Sequence, residues 1–213
     1  MKLCVVGHGK SLEGASGGRL IDECDAVIRF KKGWRISFEN PKDYGTKCDY
    51  LVASTEVPGC FLVPDELKEK IEAFIAYPKL GFYNEHAVES IEAALKREIH
   101  VPLNLTNLWN YQFRRMGGSH PNFSVGMAGI VILAHELRPK QVLLAGMDAL
   151  LNPTGEFRRI DSVPRTGTGD FPAHDWATEH KLLQHIAHEY AFTYEDILRP
   201  LYELSEQHLQ RSG

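Results

Sequence analysis

Glycine, lysine and serine follow the first apolar run of the chain in a combination that can bind phosphate. The segment reads Gly7-His8-Gly9-Lys10-Ser11. Glycines allow backbone N–H groups to approach a phosphate closely, and Lys10 and Ser11 add further donors. The spacing is not that of a Walker loop, and Leu12 replaces the third glycine of a G-x-G-x-x-G motif. The segment therefore indicates either a phosphate-binding turn or a tight turn with a structural role only.

A second candidate site lies at Ser124-Val125-Gly126, where a long apolar stretch begins. Residues 124–137 are apolar on nearly all sides, which predicts a buried helix. The first turn of a helix offers N–H groups without intrahelical partners and the positive end of the helix dipole, and both attract phosphate. Serine is also a common N-cap, so capping alone would explain Ser124.

His174 is the candidate general base. It precedes Asp175, which is a suitable N-cap for the apolar-periodic stretch that follows, and it comes after a segment rich in glycine and proline at 151–173. Histidine titrates near neutral pH and suits proton transfer. The chain has ten histidines, so a surface histidine beside a helix cap is the alternative interpretation.

These segments need a scaffold that brings them together, and the apolar pattern predicts one. Short apolar runs indicate strands at 3–6, 26–30, 50–53, 73–77 and 141–145. Helical patterns separate or follow them at 64–72, 84–97, 124–137, from 178 onward, and at 194–210. The alternation predicts an α/β fold, with a doubly wound, mainly parallel, Rossmann-like sheet. Ligands of such sheets bind at the carboxyl ends of the strands, where the strand order reverses.

Composition narrows the class of protein further. The 213 residues, 43% of them hydrophobic, predict one globular domain over 1–213, and residues 151–173 predict a lid-like loop. The net charge of −4 is unlike that of a nucleic-acid-binding protein. No apolar run approaches the roughly 18 residues of a membrane span, and the first residues are unlike a signal peptide, so we expect a cytoplasmic protein without a transmembrane segment. The four cysteines lack metal-site spacing, so we expect free thiols and no metal.

The order of these motifs resembles that of the sialyltransferases. Residues 4–12, 18–22 and 25–29 resemble the large sialylmotif of glycosyltransferase family 29, and residues 43–47 resemble its downstream Asp-x-Gly-Thr-Lys element. Residues 124–126 and 142–146 are similar to the small sialylmotif, and His174 with Glu179 matches the very small motif, His-x4-Glu. Gly146-Met147-Asp148 is similar to the Gly-Ile-Asp of the bacterial family 42 enzymes.

The resemblance implies a glycosyltransferase with the GT-A-like sheet of sialyltransferases. It implies transfer of sialic acid, or another nonulosonic acid, from a CMP-activated donor to a hydroxyl of a glycan or glycoconjugate acceptor. The implied reaction is one inverting displacement without metal or other cofactor. His174 is the implied general base, and Glu179 is expected to orient the site.

The resemblance also implies a set of donor-binding residues. These are Gly7, His8, Gly9, Ser11, Arg29, Lys31, Ser124, Val125, Gly126 and Asp148. The predicted lid has no tyrosine where the bacterial family uses tyrosines at the leaving phosphate, and we expect its Arg158, Arg159 and Arg165 to bind the phosphate instead. Three positions depart from the family pattern, because His8 and Lys31 replace asparagines and Val125 replaces a hydroxyl residue. These departures leave a catalytically inactive nucleotide-binding protein of the same fold as the alternative. A phosphotransferase is disfavoured, since the Walker loop is absent.

Overall fold

Seven parallel strands form one sheet within the described part of the chain. The computed structural model describes residues 1–56, 58–79, 84–151 and 174–198. The strands are β1 Lys2–Val6, β2 Ala26–Phe30, β3 Tyr50–Ser54, β4 Ala73–Tyr77, β5 Ile99–His100, β6 Gln141–Ala145 and β7 Thr193–Asp196. Their order across the sheet is β5-β4-β3-β2-β1-β6-β7. Every neighbouring pair is parallel, which confirms the predicted α/β, doubly wound sheet.

Helices connect the strands and cover both faces of the sheet. They are α1 Gly18–Asp22, α2 Trp34–Glu39, α3 Pro41–Tyr44, α4 Asp65–Lys68, α5 Glu85–Leu95, α6 Leu103–Arg115, α7 Val125–Leu137, α8 Asp148–Leu151 and α9 Trp176–Glu189, with short 3-10 turns at Lys10–Leu12 and Pro58–Cys60. Asn84, Ser124 and Asp175 accept hydrogen bonds as N-caps of α5, α7 and α9. The helix predicted at 64–72 is shorter than expected, and α6 was not predicted from the sequence.

Helix α7 lies at the centre of the larger apolar core. Its residues from Met127 to Ala134 are all buried, because the helix lies between the sheet on one side and α6 and α9 on the other. The approach to the sheet is close. A Cβ at Gly129 would lie 2.5 Å from Ile28 Cδ1 and 2.6 Å from Phe30 Cε1. The missing side chain therefore lets α7 sit directly on β2, which fixes the position of the first turn of α7 above the sheet.

The helix predicted at 194–210 is wrong at its beginning. Thr193–Asp196 is the edge strand β7, paired with β6 from Gln141↔Thr193 to Leu144↔Asp196. Pairing with a strand that already lies in the sheet outweighs the weak helical spacing of these residues, and β-branched Thr193 and aromatic Tyr194 suit a strand. Residues 199–213 lie outside the described part of the chain.

The described residues show two further general features. No helix among them is long and apolar enough to cross a bilayer. All four cysteines are buried free thiols. The predicted lid at 151–173 lies outside the described residues except for Leu151, and the next described residue is His174.

Candidate active site

The turns that follow β1 and β6 are joined where the strand order reverses. The chain builds the sheet outward from β1 through β2 to β5, and then returns to add β6 on the other side of β1. Gly7 N–H donates to Ala145 O at 2.7 Å, and Gly9 N–H donates to Gly146 O at 2.8 Å. These bonds place the glycine turn and the 146–148 segment at the switch point, where open α/β sheets bind their ligands.

Close packing around this junction requires glycine. A Cβ at Gly9 would lie 2.5 Å from the Asp148 carboxylate, and one at Gly7 would lie 2.6 Å from Met147 Sδ. Met147 also reaches α7, because its Cε lies 2.9 Å from the Cβ position of Gly126. The structure therefore brings Gly7, Gly9, Gly126 and Asp148 close together.

Asp148 fastens the two turns together through Ser11. The Ser11 hydroxyl donates to Asp148 Oδ1 at 2.5 Å, and the Ser11 N–H donates to Asp148 Oδ2 at 3.2 Å. Both donors of Ser11 are thus directed at one carboxylate. In this arrangement Ser11 and Asp148 shape the turn.

Two basic residues lie near the carboxyl end of β2. His8 Nε2 is 3.2 Å from Phe30 O; because a carbonyl can only accept, this nitrogen carries the proton. A Cβ at Gly33 would lie 2.5 Å from the same nitrogen, so the ring fits closely against this turn. Lys31 follows β2 with a left-handed φ of 51° and donates its N–H to Val52 O at 2.9 Å. The site thus has histidine and lysine where the sialyltransferase pattern has two amides.

The structure does not bring the Arg29 side chain into this group. Arg29 is 1% exposed, and its guanidinium donates to Lys47 O at 2.9 Å and to Tyr44 O at 2.7 Å. These carbonyls belong to the stretch that resembles the Asp-x-Gly-Thr-Lys element. In the same stretch, Asp43 accepts hydrogen bonds from Gly14 N and from Ser16 N. Arg29 and this element therefore hold the scaffold beneath the glycine turn.

The second group of site residues forms around a buried carboxylate. Glu179, in the first turn of α9, is 0% exposed. Its Oε1 accepts from Ser124 N at 2.8 Å, and its Oε2 accepts from the Ser124 hydroxyl at 2.5 Å. His174 Nδ1 lies 3.6 Å from Glu179 Oε1, and the His174 side chain is 30% exposed. One carboxylate therefore joins the start of α7 to the candidate base.

The surroundings of Glu179 determine its protonation. Burial raises the pKa of this carboxyl to about 7, against the opposing effect of the two hydrogen bonds from Ser124. Asp175 adds a negative charge nearby, which also raises the pKa of Glu179. Glu179 therefore changes charge near neutral pH while in contact with His174, whose ring also packs against Trp176 with centroids 4.7 Å apart.

Two buried residues that the sequence analysis did not identify, Tyr77 and Asn110, hold the segment that leads into Ser124. The Tyr77 hydroxyl lies 3.0 Å from Asn110 Oδ1 and 3.3 Å from Phe123 O. Asn110 Oδ1 also accepts from Phe123 N at 3.3 Å, and the Tyr77 ring stacks on Phe123 at 5.4 Å. Tyr77 and Asn110 thus hold the residue before Ser124. The sequence carried no signal for Asn110, because α6 itself was not predicted.

The first turn of α7 retains donors that no described residue uses. The N–H of Met127 donates to Ser124 Oγ, and that of Ala128 donates to Ser124 O. Among the described residues, no acceptor receives the N–H groups of Val125 and Gly126. These two amides, at the positive end of a 13-residue helix, can receive an anion.

Some predictions about the site cannot be compared with the structure. Arg158, Arg159 and Arg165 lie outside the described residues. Within the described ranges, no cluster of histidine, cysteine or carboxylate side chains has the composition to hold a metal ion. The metal-free reaction therefore stays a prediction.

The fold is shared with solved enzyme structures. No protein-family model matches the chain, and no curated protein sequence matches it. A mammalian sialyltransferase in complex with Gal-beta-1-3GalNAc-ortho-nitrophenol is 18% identical, with a TM-score of 0.61 over 92% of this chain and 69% of that one. A further structure of a mammalian sialyltransferase is 20% identical, with a TM-score of 0.58 over 92% and 68% of the two chains. The chain therefore has a fold similar to that of mammalian sialyltransferases.

Proposed function

We propose that the protein is a glycosyltransferase that moves sialic acid, or another nonulosonic acid, from a CMP-activated donor to a hydroxyl of a glycan. The observation that carries this proposal is the contact of His174 with buried Glu179, which itself binds the start of α7. This contact lies in a fold similar to that of mammalian sialyltransferases, one of them in complex with Gal-beta-1-3GalNAc-ortho-nitrophenol.

The donor nucleotide belongs at the switch point in this proposal. Its phosphate lies where the amides of Val125 and Gly126 meet the turn of Gly7 and Gly9. As the bond to the sugar breaks, the phosphate gains negative charge, and preorganised N–H groups stabilise that charge. Near the end of β2, Lys31 adds positive charge for the same anion, and the His8 ring lies against the Phe30 carbonyl.

His174 performs the proton transfer. Its Nδ1 faces Glu179, so Nε2 is on the far side of the ring and accepts the proton of the acceptor hydroxyl. The acceptor oxygen forms a bond to the anomeric carbon while the bond from that carbon to the phosphate oxygen breaks, and CMP leaves with the electron pair. The displacement is inverting, and its charge changes are balanced by protein groups without a metal.

A panel of CMP-sugars with simple galactosides as acceptors tests the proposal. We expect transfer by the wild type in the presence of EDTA. His174→Ala should lose about 10²-fold or more of the turnover, the range that general bases contribute, while CMP affinity is retained. His188→Ala is the matched control, because His188 is exposed on α9, the helix that His174 precedes.

The outcomes separate the candidate functions. Turnover of His174→Ala equal to that of the wild type would exclude His174 as the base. An inactive nucleotide-binding protein would bind CMP but transfer none of the sugars. His8, Lys31 and Val125 differ from the sialyltransferase pattern, and for this reason the experiment measures CMP binding as well as transfer. The intact contact between His174 and Glu179 supports the active enzyme.

A further inference from the structure

The hydroxyl of Ser124 is fully engaged inside the protein. Ser124 is 5% exposed. Its Oγ donates its single proton to Glu179 Oε2 at 2.5 Å and accepts from Met127 N at 3.1 Å. A hydroxyl with its proton committed to a buried carboxylate has none to donate to a phosphate. The role of Ser124 must therefore differ from the donor contact that the resemblance implies.

Glu179 depends on Ser124 for its position. Each of its oxygens accepts one hydrogen bond from Ser124, from the N–H and from the hydroxyl, respectively. The bidentate contact fixes the plane of the carboxylate as well as its location. Because Oε1 is also the atom that faces His174 Nδ1 at 3.6 Å, the orientation of the carboxylate determines what the imidazole meets.

The other side of Ser124 is rigid. The preceding residue, Phe123, has both of its main-chain polar groups directed at Tyr77 and Asn110, which are buried. The following residues form α7, which is buried against the sheet. Ser124 is thus anchored on both sides and can impose its geometry on Glu179, which lies 55 positions further along the sequence.

We propose that Ser124 is a positioning residue of the transferase, which holds Glu179 so that Glu179 orients His174 for proton transfer. This inference rests on the proposed function. The N–H groups of Val125 and Gly126, and not the Ser124 hydroxyl, then bind the donor phosphate at the start of α7. A carboxylate beside one ring nitrogen stabilises the proton on that nitrogen by its charge, which leaves the other nitrogen as the base.

Removal of the hydroxyl has an electrostatic consequence. Glu179 would stay buried with one donor fewer, so its neutral form would be favoured further. The groups around it are His174 and Asp175 beside its own helix, Ser124 of α7 and Tyr77 of β4, and none of them supplies a fixed positive charge. His174 would then face a neutral acid, and its imidazolium form would lose stabilisation.

The test compares Ser124→Ala, Ser124→Thr and Glu179→Gln in the full chain. Ser124→Ala should lower kcat by about tenfold or more, within the range of general-base effects, with an unchanged KM for the CMP-sugar. The acid limb of its pH–rate profile should move to lower pH. Ser124→Thr, which keeps a hydroxyl, should restore most of the turnover, and the double variant Ser124→Ala with Glu179→Gln should be no slower than Glu179→Gln alone. Ser90→Ala is the matched control, because Ser90 is an exposed serine of α5 whose hydroxyl donates to His86 O.

A substrate-free measurement separates this inference from the proposed function. The NMR titration midpoint of the His174 ring should fall in Ser124→Ala and in Glu179→Gln, and return in Ser124→Thr. An unchanged midpoint would overturn the inference, whether or not the wild type transfers a sugar. A higher KM with an unchanged kcat would also overturn it, because Ser124 would then contact the donor. Should Ser124→Ala fail to fold, Glu179→Gln and Ser124→Thr supply the same comparison.

Discussion

Glu179 binds the residue that caps α7 from inside the protein. Its carboxylate lies against the N-terminus of α7 and uses the N–H of Ser124. The dipole of the helix and two hydrogen bonds favour the ionised form, yet burial has the larger effect on its pKa. The residue is therefore poised between two charge states, with consequences for the stability of the whole protein as well as for His174.

Glu179 should contribute a pH dependence to the stability of the protein. The pKa of Glu179 rises from an ordinary 4.5 to about 7 on folding, so the folded state holds the proton more tightly than the unfolded state. Its stabilising contribution is complete below pH 4.5 and is lost as the pH rises to 7, a change on the order of 3 kcal/mol. Urea unfolding at a series of pH values should show this loss in the wild type and not in Glu179→Gln.

Glu189→Gln is the control for this measurement, because Glu189 is exposed at the end of the same helix. It should follow the wild-type profile. Parallel profiles for the wild type and Glu179→Gln would show that Glu179 does not titrate in this range.

A variant of Arg29 tests whether this residue stabilises the fold or binds the nucleotide. Its guanidinium donates to two carbonyls in the interior, and lysine cannot reach both with one ammonium group. Arg29→Lys should therefore lower the free energy of unfolding by about 2–4 kcal/mol, while CMP affinity at a temperature where the variant is folded stays that of the wild type. Thermal unfolding and CMP titration measure the two effects.

Arg19→Lys is a matched control, because Arg19 has an exposed side chain that pairs with Glu23. It should change neither quantity. A stable Arg29→Lys variant that binds CMP poorly would assign Arg29 to the nucleotide after all.

At the residue scale, the sequence identified candidate site residues but not the residues to which they are hydrogen-bonded. The glycines and His174 with Glu179 were found because local spacing carries their pattern. The hydrogen bonds from Ser124 to Glu179 join residues 55 positions apart, and no local pattern encodes such a contact. The same limit hid Tyr77 and Asn110, whose importance arises only from their contacts with Phe123.

Among the elements, α7 best shows how packing can oppose intrinsic propensity. In an isolated helix, alanine is favoured over glycine by about 1 kcal/mol. At Gly129, however, the added Cβ would meet Ile28 and Phe30, which are both buried. Overpacking costs about 1–3 kcal/mol, so Gly129→Ala should destabilise the protein in a urea titration despite its better helix propensity.

Gly59→Ala is the comparison for this change, because a Cβ at Gly59 meets nothing within 4 Å. It should leave stability within about 0.5 kcal/mol of the wild type. A more stable Gly129→Ala variant would mean that α7 can move away from β2.

Elements with strong local patterns were predicted, and those defined by their neighbours were not. The five predicted strands and α7 have apolar runs in their own sequence, so the local pattern is enough to predict them. β5 has two residues, Ile99–His100, and exists through pairing with β4. β7 likewise exists through pairing with β6, where Gln141 also donates to Glu195 at 2.5 Å. Edge strands of this kind depend on a sheet that must form first.

On the scale of the whole molecule, the candidate site lies at the carboxyl edge of the parallel sheet, and structural contacts lie at the amino edge. The carboxyl ends of β1 and β6 lead into the glycine turn and Asp148, and the start of α7 meets the same junction through Met147. The opposite edge is closed by structural contacts, such as Lys140 N–H to Met1 O and Lys2 N–H to the Asp25 carboxylate. The fold class was predictable because alternating strands and helices permit few arrangements.

This polarity predicts where CMP binds. In an amide NMR titration, CMP should shift the signals of Gly7, Gly9, Val125 and Gly126, at the carboxyl edge, and leave Lys2 and Lys140, at the amino edge, unchanged. The physical reason is that the described N–H groups without protein acceptors at the start of α7 lie beside the switch point.

Cytidine provides the matched comparison, because it has the same base and ribose but no phosphate. It should shift Gly7 and Gly9 less than CMP does and leave Val125 and Gly126 still. CMP binding should also weaken as salt rises, since the protein has a net charge of −4 and must gather local positive charge to hold a dianion. Equal shifts at Val125 and Gly126 with cytidine and CMP would show that the phosphate does not bind at the start of α7. Shifts confined to the amino edge would show that the nucleotide does not bind at the switch point.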